Sequence, residues 1–259
     1  MIQIINITKY FKGLCALYDV TFTVKDGTVK ALIGPNGAGK TTLLNIMNGI
    51  LKPDQGMVMF NGTDLTRLRV DEICKLGIAR TFQMVRLFTI RGMTVLDNVM
   101  IGAQKYLSPR LIDAFVFRKA LLAKEKNLRE KALHLIELVG LNGLEENEVV
   151  SLSFGNQRLT ELARALMSNP SILLLDEPAS GLNVVETEKL KKVLFNLKQQ
   201  GLTMVIVEHN MQFVMDIADE VVVLNFGKKI AEGKPEDIMK DPEVIRAYLG
   251  KNERSFKDQ

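Results

Sequence analysis

Residues 34–42, GPNGAGKTT, limit what this chain can fold into more than any other stretch. Glycine inside ordered structure costs about 0.5–1 kcal/mol relative to alanine, so a cluster of glycines needs a geometric reason. Gly34, Gly37, Gly39, Lys40 and Thr41 fill GxxxxGK[ST], with Pro35, Asn36, Ala38 and Thr42 completing the loop. The apolar run VKALI precedes it and an amphipathic stretch, residues 40–48, follows. A strand entering a glycine-rich loop that opens a helix is the setting in which backbone N–H groups cradle phosphates, a lysine reaches the β and γ groups, and the Thr41 hydroxyl holds Mg²⁺. A glycine-rich turn without a ligand is the alternative, and the flanking strand and helix patterns weigh against it.

A second apolar run, ILLLDEP, ends in two adjacent acids. Asp176 is placed to bind Mg²⁺ through water, and Glu177, pointing the other way on an extended chain, to polarise the water that attacks a γ-phosphate. Paired acids at a strand end are often only a solvated turn; a phosphate loop upstream makes them a Walker B sequence. In LSFGNQRLTELARALMSNP, small residues open a strong helix, and free N–H groups there with the Ser153 hydroxyl form a second phosphate site. Taken alone, that stretch reads equally as an ordinary helix cap.

Short runs apolar on both faces (VKALIG, SILLLD, TMVIVEH, EVVVLNFG) alternate with amphipathic stretches, the pattern of a parallel sheet covered by helices. IQIINIT, DVTFTV and GMVMFNG alternate more strictly and predict an antiparallel β region beside that α/β core. Between residues 93 and 151 the pattern is helical only, with Leu128, Ala132, Leu135, Ile136 and Val139 at helical spacing and Gly140 as a stop. The last residues, KNERSFKDQ, read as a frayed polar tail.

With 259 residues, 47% hydrophobic and 25% charged, the chain is expected to fold rather than remain disordered. No apolar run approaches the roughly 20 residues of a membrane helix, and the start lacks the marks of a signal peptide, so a cytoplasmic location is expected. Cys15 and Cys74 are too few for a disulfide framework or a zinc site. Residues 105–131 carry eight Lys/Arg against three acids in a chain of net charge +4. A solvated helix face explains them most simply, anionic lipid or a partner being the alternative, and no aromatic spacing suggests nucleic acid.

GPNGAGKTT, Gln83 in RTFQ, LSFGN, ILLLDEP, SGLN and His209 in VEHN, in this order, resemble the nucleotide-binding subunit of an ATP-binding-cassette (ABC) transporter. The resemblance covers nearly the whole chain. It implies an α/β P-loop NTPase core with an antiparallel β subdomain and an inserted helical subdomain, all one domain spanning residues 1–259. Residues 1–92 and 152–234 would form the core with its β subdomain. Residues 93–151 would form the helical subdomain, its signature helix continuing to about 168, and residues 235–259 a C-terminal helical extension. By position, Phe11 or its neighbour Tyr10 would stack on adenine, Gln83 would contact Mg²⁺ and sense the permease, and His209 would bridge the γ-phosphate and the attacking water. Ser153, Gly155 and Asn156 would grip the ATP held by a second subunit. Asn156 stands where the signature usually has glutamine, and Asn183 where many cassettes have aspartate.

RTFQMVRLF, the lengthened segment after MTVLDNV and the ending DPEVIRAYLG resemble the ATPases of branched-chain amino acid importers, with urea and amide importers close by. The implied partners are an identical or paralogous ATPase, two permease subunits and, indirectly, an extracytoplasmic solute-binding protein, with no nucleic acid. Leu87 and Phe88 would face the permease. Two rivals are a lipid or lipopolysaccharide exporter ATPase and a soluble cassette protein acting on nucleic acid. The extended ending and longer helical lobe disfavour the first and the single cassette the second; intact Lys40, Asp176, Glu177 and His209 oppose a third, a degenerate regulatory binder with little turnover.

Overall fold

The computed structural model of the chain describes residues 1–103 and 118–249. Strands β1 (Ile2–Phe11) and β2 (Leu14–Val24) form a hairpin whose turn, Lys12 and Gly13, has φ of +44° and +91°. Two positive φ values in succession match the twist of the flanking strands. β3 (Val29–Ile33) is buried at all five positions and feeds the phosphate loop and α1 (Lys40–Met47). β4 (Gln55–Phe60) and β5 (Thr63–Asp64) complete an antiparallel sheet of order β2-β1-β4-β5.

After α2 (Val70–Lys75) come β6 (Ile78–Arg80), α3 (Val95–Ile101), α4 (Arg118–Leu138) and a 3₁₀ turn at Val149–Ser151. Then follow α5 (Phe154–Met167), β7 (Ile172–Asp176), α6 (Val184–Gln199), β8 (Thr203–Val207) and α7 (Met211–Ile217). β9 (Glu220–Asn225), β10 (Lys228–Gly233), α8 (Pro235–Ile238) and α9 (Pro242–Leu249) end the described chain. The larger sheet has the order β10-β9-β3-β8-β7-β6, parallel throughout except where β10 returns along β9. Parallel strands bring their carboxyl ends to one edge, where ligands of α/β sheets bind. Here that edge collects the ends of β3, β7 and β8.

One apolar cluster joins Ile4, Val20 and Phe22 of the antiparallel sheet to Leu32, Leu174 and Val205 of the parallel one, with Leu43 and Leu44 of α1 between. A second continues from the other face of the parallel sheet, through Leu173, Leu175 and Ile206, into α5, α6 and the inserted helices. The expected alternation and the fully apolar runs therefore fall on the expected sheets. Of the helical positions read from spacing, Leu128, Ala132, Ile136 and Val139 are buried and Leu135 is only partly so. The neck of the insertion is closed by backbone bonds from Val95 to Asn147 (3.0 Å) and from Val149 to Met93 (3.2 Å). Of the basic segment, Lys124, Lys126 and Arg129 are exposed. Lys105 and Arg110, the side chains of Arg118 and Lys119, and the polar tail lie outside the described residues.

Gly140 ends α4 at φ +75°, with the Leu141 N–H reaching back five residues to the Ile136 carbonyl at 2.9 Å. This closing motif needs a left-handed residue. Gly140→Ala is expected to lower unfolding free energy by about 1 kcal/mol, read by urea denaturation, with ATP turnover unchanged.

Candidate nucleotide and phosphate site

In the phosphate loop, Gly34, Gly37 and Gly39 have φ of +146°, +81° and +101°. A Cβ on Gly34 would lie 2.1 Å from the Leu224 carbonyl oxygen, and one on Gly39 would lie 2.7 Å from the Ala16 carbonyl oxygen. Glycine is thus required twice, for conformation and for close approach. The loop is pinned from outside as well, the Gly227 N–H donating to the Ala38 carbonyl at 3.1 Å. Lys40 is buried, and its ammonium donates into the curl of the loop, to the carbonyls of Gly34 (2.6 Å) and Pro35 (3.1 Å). Asn36 and Gly37 stand exposed on the loop, as does Thr41 at the start of α1, while Thr42 is half-buried.

Two strands away, Asp176 ends β7 almost fully buried, with one carboxylate oxygen on Arg80 at 2.8 Å. Arg80 extends its other amino group to Asn45 of α1 at 2.6 Å. The guanidinium therefore ties Asp176 to the phosphate-loop helix. Glu177 does not continue the strand as the alternation of an extended chain predicts. It turns to φ +47°, with its N–H bonded to the Val207 carbonyl at 2.9 Å. A non-glycine residue held at positive φ is strained, and the neighbouring strand end holds it there. The turn, not strand alternation, separates the two carboxylates.

The Glu177 carboxylate accepts a hydrogen bond from the Gln83 amide at 2.9 Å, and its same oxygen lies 3.8 Å from His209 Nδ1. At that distance the imidazole is adjacent without a formed hydrogen bond. Glu208, nearly fully buried, accepts backbone N–H groups from His209 (3.0 Å) and Asn210 (3.2 Å) on one oxygen and from Ala179 (2.9 Å) on the other. One carboxylate thus fixes both the loop carrying His209 and the loop after Glu177.

Gln83 is itself held by α5. Arg158 donates to the carbonyls of Phe82 (2.6 Å) and Gln83 (2.7 Å) and pairs with Glu161 at 3.2 Å, both side chains being buried. Burial pushes the Glu161 carboxyl above its usual range, against the pull of Arg158. Arg164 reaches the Arg86 carbonyl. Asn98 of α3 clamps Phe88 by accepting from its N–H (2.8 Å) and donating to its carbonyl (3.1 Å). Of the two residues expected to face a partner, Leu87 packs on the core and only Phe88 is exposed, with Met84 and Ile90 beside it in sequence. Phe88 lines a cavity of about 500 Å³ between α2, β6 and the helical lobe, together with Val70, Ile73, Ile101 and Arg164.

Ser153 is the cap of its helix, and its hydroxyl has a second, anionic partner. Its hydroxyl oxygen caps α5 by accepting the Asn156 N–H at 3.3 Å, while the hydroxyl also reaches Glu186 at 3.1 Å. The Gly155 N–H donates to the same Glu186 oxygen at 3.2 Å. Asn183 caps α6 with its side-chain oxygen, which accepts the Glu186 N–H at 2.9 Å, a role asparagine fills as well as aspartate. Phe154 packs over Gly181, so LSFGN and SGLN touch within the chain. Phe11 and Tyr10 are both exposed at the end of β1, near the hairpin turn, and Lys9 lies over the Phe11 ring. β2 of that hairpin passes against Gly39 at Ala16 and Leu17.

Arg80, Arg158, Glu161, Glu186 and Glu208 escaped the sequence reading. Arg80 and Glu208 had a signal, each being a charge at the end of an otherwise apolar buried run. Arg158 and Glu161 stand three apart on the core face of an amphipathic helix, a spacing that marks a paired charge. Glu186 completes a capping box with Asn183, legible as N-x-x-E at the start of a helical stretch.

A family model for ABC transporters matches residues 17–180, and one for the branched-chain amino acid ATP-binding cassette transporter matches residues 228–254. The high-affinity branched-chain amino acid transport ATP-binding protein BraF of Pseudomonas aeruginosa is 38% identical over 251 residues, 96% of this chain and 98% of that protein. The ADP conformation of an ATP-binding cassette of an ABC transporter superposes with TM-score 0.84 at 35% identity, covering 96% of this chain and 98% of that one. A bacterial ABC transporter cassette solved as a dimer superposes with TM-score 0.75 at 28% identity, covering 91% and 99%.

Proposed function

The chain belongs to the ABC transporter family as its ATP-hydrolysing cassette, and we propose that it powers import of branched-chain amino acids through a membrane permease. It binds ATP and is an ATPase. The observation that carries the catalytic assignment is the meeting of Glu177, Gln83 and His209 at the carboxyl edge of the parallel sheet, the edge that also carries the phosphate loop. The match at residues 228–254 and the relatedness to BraF support the solute class, and they favour import over lipid export or work on nucleic acid.

In this reading the loop amides and Lys40 stabilise the phosphate charge, and Glu177 orients the water for in-line attack, held in place by Gln83 and flanked by His209. Thr41, Asp176 and Gln83 would hold Mg²⁺. One buried carboxylate, a hydroxyl and an amide fit an ion that takes few protein ligands and completes its shell with substrate phosphates and water. That ion would neutralise charge on the transferred group. Phe11 or Tyr10 offers an exposed ring for the adenine.

Two subunits, identical or paralogous, would each close one ATP between the loop of one and Ser153, Gly155 and Asn156 of the other. The cassette solved as a dimer is consistent with that arrangement. No described helix is long and apolar enough to cross a membrane. As an ATP-binding subunit of this family, the chain would work from the cytoplasmic face, docked on two permease subunits fed by an external binding protein. The cavity beside Phe88 is the docking surface of this reading: it is lined by Val70, Ile73, Phe88 and Ile101 with charged side chains such as Arg164 among them, and is attached through Asn98 and α5 to the segment carrying Gln83. Phe88→Asp should abolish co-purification with the permease while the isolated subunit keeps its ATPase within about twofold. Loss of folding in that variant would remove the docking assignment.

Purifying the tagged chain from detergent-solubilised membranes tests the whole reading. Membrane-spanning subunits that together transport leucine, isoleucine or valine in proteoliposomes are expected. Ribosomes, nucleic acid or a lipid exporter in their place would overturn it.

A further inference from the structure

We propose that Glu186 is a resident anion on the LSFGN motif, one that must let go before the ATP of a second subunit can dock there. This rests on the two-subunit reading above and adds to it a built-in competitor for the composite site.

The geometry is specific. The two carboxylate oxygens of Glu186 divide their work: Oε2 accepts the Asn183 N–H at 3.2 Å, closing the cap of its own helix, and Oε1 accepts the Ser153 hydroxyl at 3.1 Å and the Gly155 N–H at 3.2 Å. A Cβ on Gly155 would stand 2.5 Å from the Glu186 carboxylate carbon, so only glycine lets the carboxylate come this close. Glu186 is the one acidic residue in the first turn of α6, and its cap, Asn183, is neutral.

Ser153 and the Gly155 N–H are also two of the donors that the two-subunit reading assigns to the phosphate. They stand at the start of the 14-residue α5, where the helix dipole favours an anion. A carboxylate oxygen and a phosphate oxygen cannot both take the same two donors, and two negative groups forced together repel. Hydrogen bonds to a charged acceptor are about twice as strong as neutral ones, so Glu186 is a serious competitor. Glu186 is only half-buried, which leaves its side chain room to swing outward. In the isolated subunit Glu186 therefore keeps LSFGN ordered and charge-satisfied, and it raises the ATP concentration needed for two subunits to close.

The test uses the full chain carrying Glu177→Gln, which slows hydrolysis so that the closed dimer accumulates. Sedimentation velocity over a range of MgATP concentrations gives the concentration for half-maximal dimer. Adding Glu186→Gln, which keeps the side chain's length and removes its charge, should lower that concentration by about tenfold. Glu186→Ala should lower it at least as far, and thermal melts followed by circular dichroism check that both variants are folded. If Glu186 only shapes the motif for its partner, both substitutions raise the ATP requirement instead. A requirement that rises or stays the same, while the Glu177→Gln parent still dimerises, overturns the proposal and leaves the two-subunit reading standing. A parent that never dimerises with ATP overturns both.

Discussion

Glu177→Gln is expected to cut steady-state ATP turnover by about 10² or more, equivalent to about 2.7 kcal/mol of barrier, while ATP binding persists. Glutamine keeps the length and one oxygen of the side chain but loses the charge that draws a proton from the attacking water. The surroundings make the substitution clean. The backbone turn at φ +47° is held by the Val207 carbonyl, and Gln83 still finds an oxygen to donate to, so neither the strand end nor the neighbouring loop needs to move. In the proposed site ATP affinity would rest on the phosphate loop and Lys40, which follow β3, two strands from β7. The checks are a steady-state phosphate-release assay and an equilibrium titration with a fluorescent ATP analogue. Turnover within a few-fold of the parent would move the catalytic role elsewhere, with His209 the next group in reach.

The parts of the site legible in the sequence are those in which a local pattern has one physical meaning. GPNGAGKTT announces its geometry because three positive φ values and a buried lysine leave few other structures open. ILLLDEP announces a buried strand with acids at its end. What the pattern could not convey is where the chain bends after Asp176, since a left-handed glutamate is unfavourable by local preference and is imposed by the adjacent strand. Leu87 and Phe88 show the same limit: adjacent apolar residues look alike in sequence, and only the Asn98 clamp and the core behind decide which of them faces outward. Long-range charge pairs such as Arg80 with Asp176 were out of reach for the same reason, because their members are 96 residues apart and meet only through sheet order. Ser153 could not be resolved between cap and phosphate donor because one hydroxyl can accept from the helix N–H and still donate outward, here to Glu186.

That double role makes Ser153→Arg the most damaging single change expected in the signature segment. Arginine cannot cap α5, and loss of a serine cap costs about 0.5–2 kcal/mol, a fraction of a typical domain's stability, so the subunit should still fold. The larger effect lies between subunits. Position 153 is exposed at the head of α5, and its hydroxyl already meets the Glu186 carboxylate. An arginine there would form a charge-assisted pair with Glu186, locking that carboxylate over the Gly155 N–H and filling the space a phosphate needs. Both the ATP-dependent dimer and turnover should fall below detection. Ser153→Thr keeps a hydroxyl for the cap and for the donor, and should retain both within about threefold. Sedimentation velocity in the Glu177→Gln background reads the dimer, and phosphate release in the otherwise native chain reads turnover. A dimer that persists with arginine at this position would mean that LSFGN only starts a helix, and the composite ATP site would have to be given up for this chain.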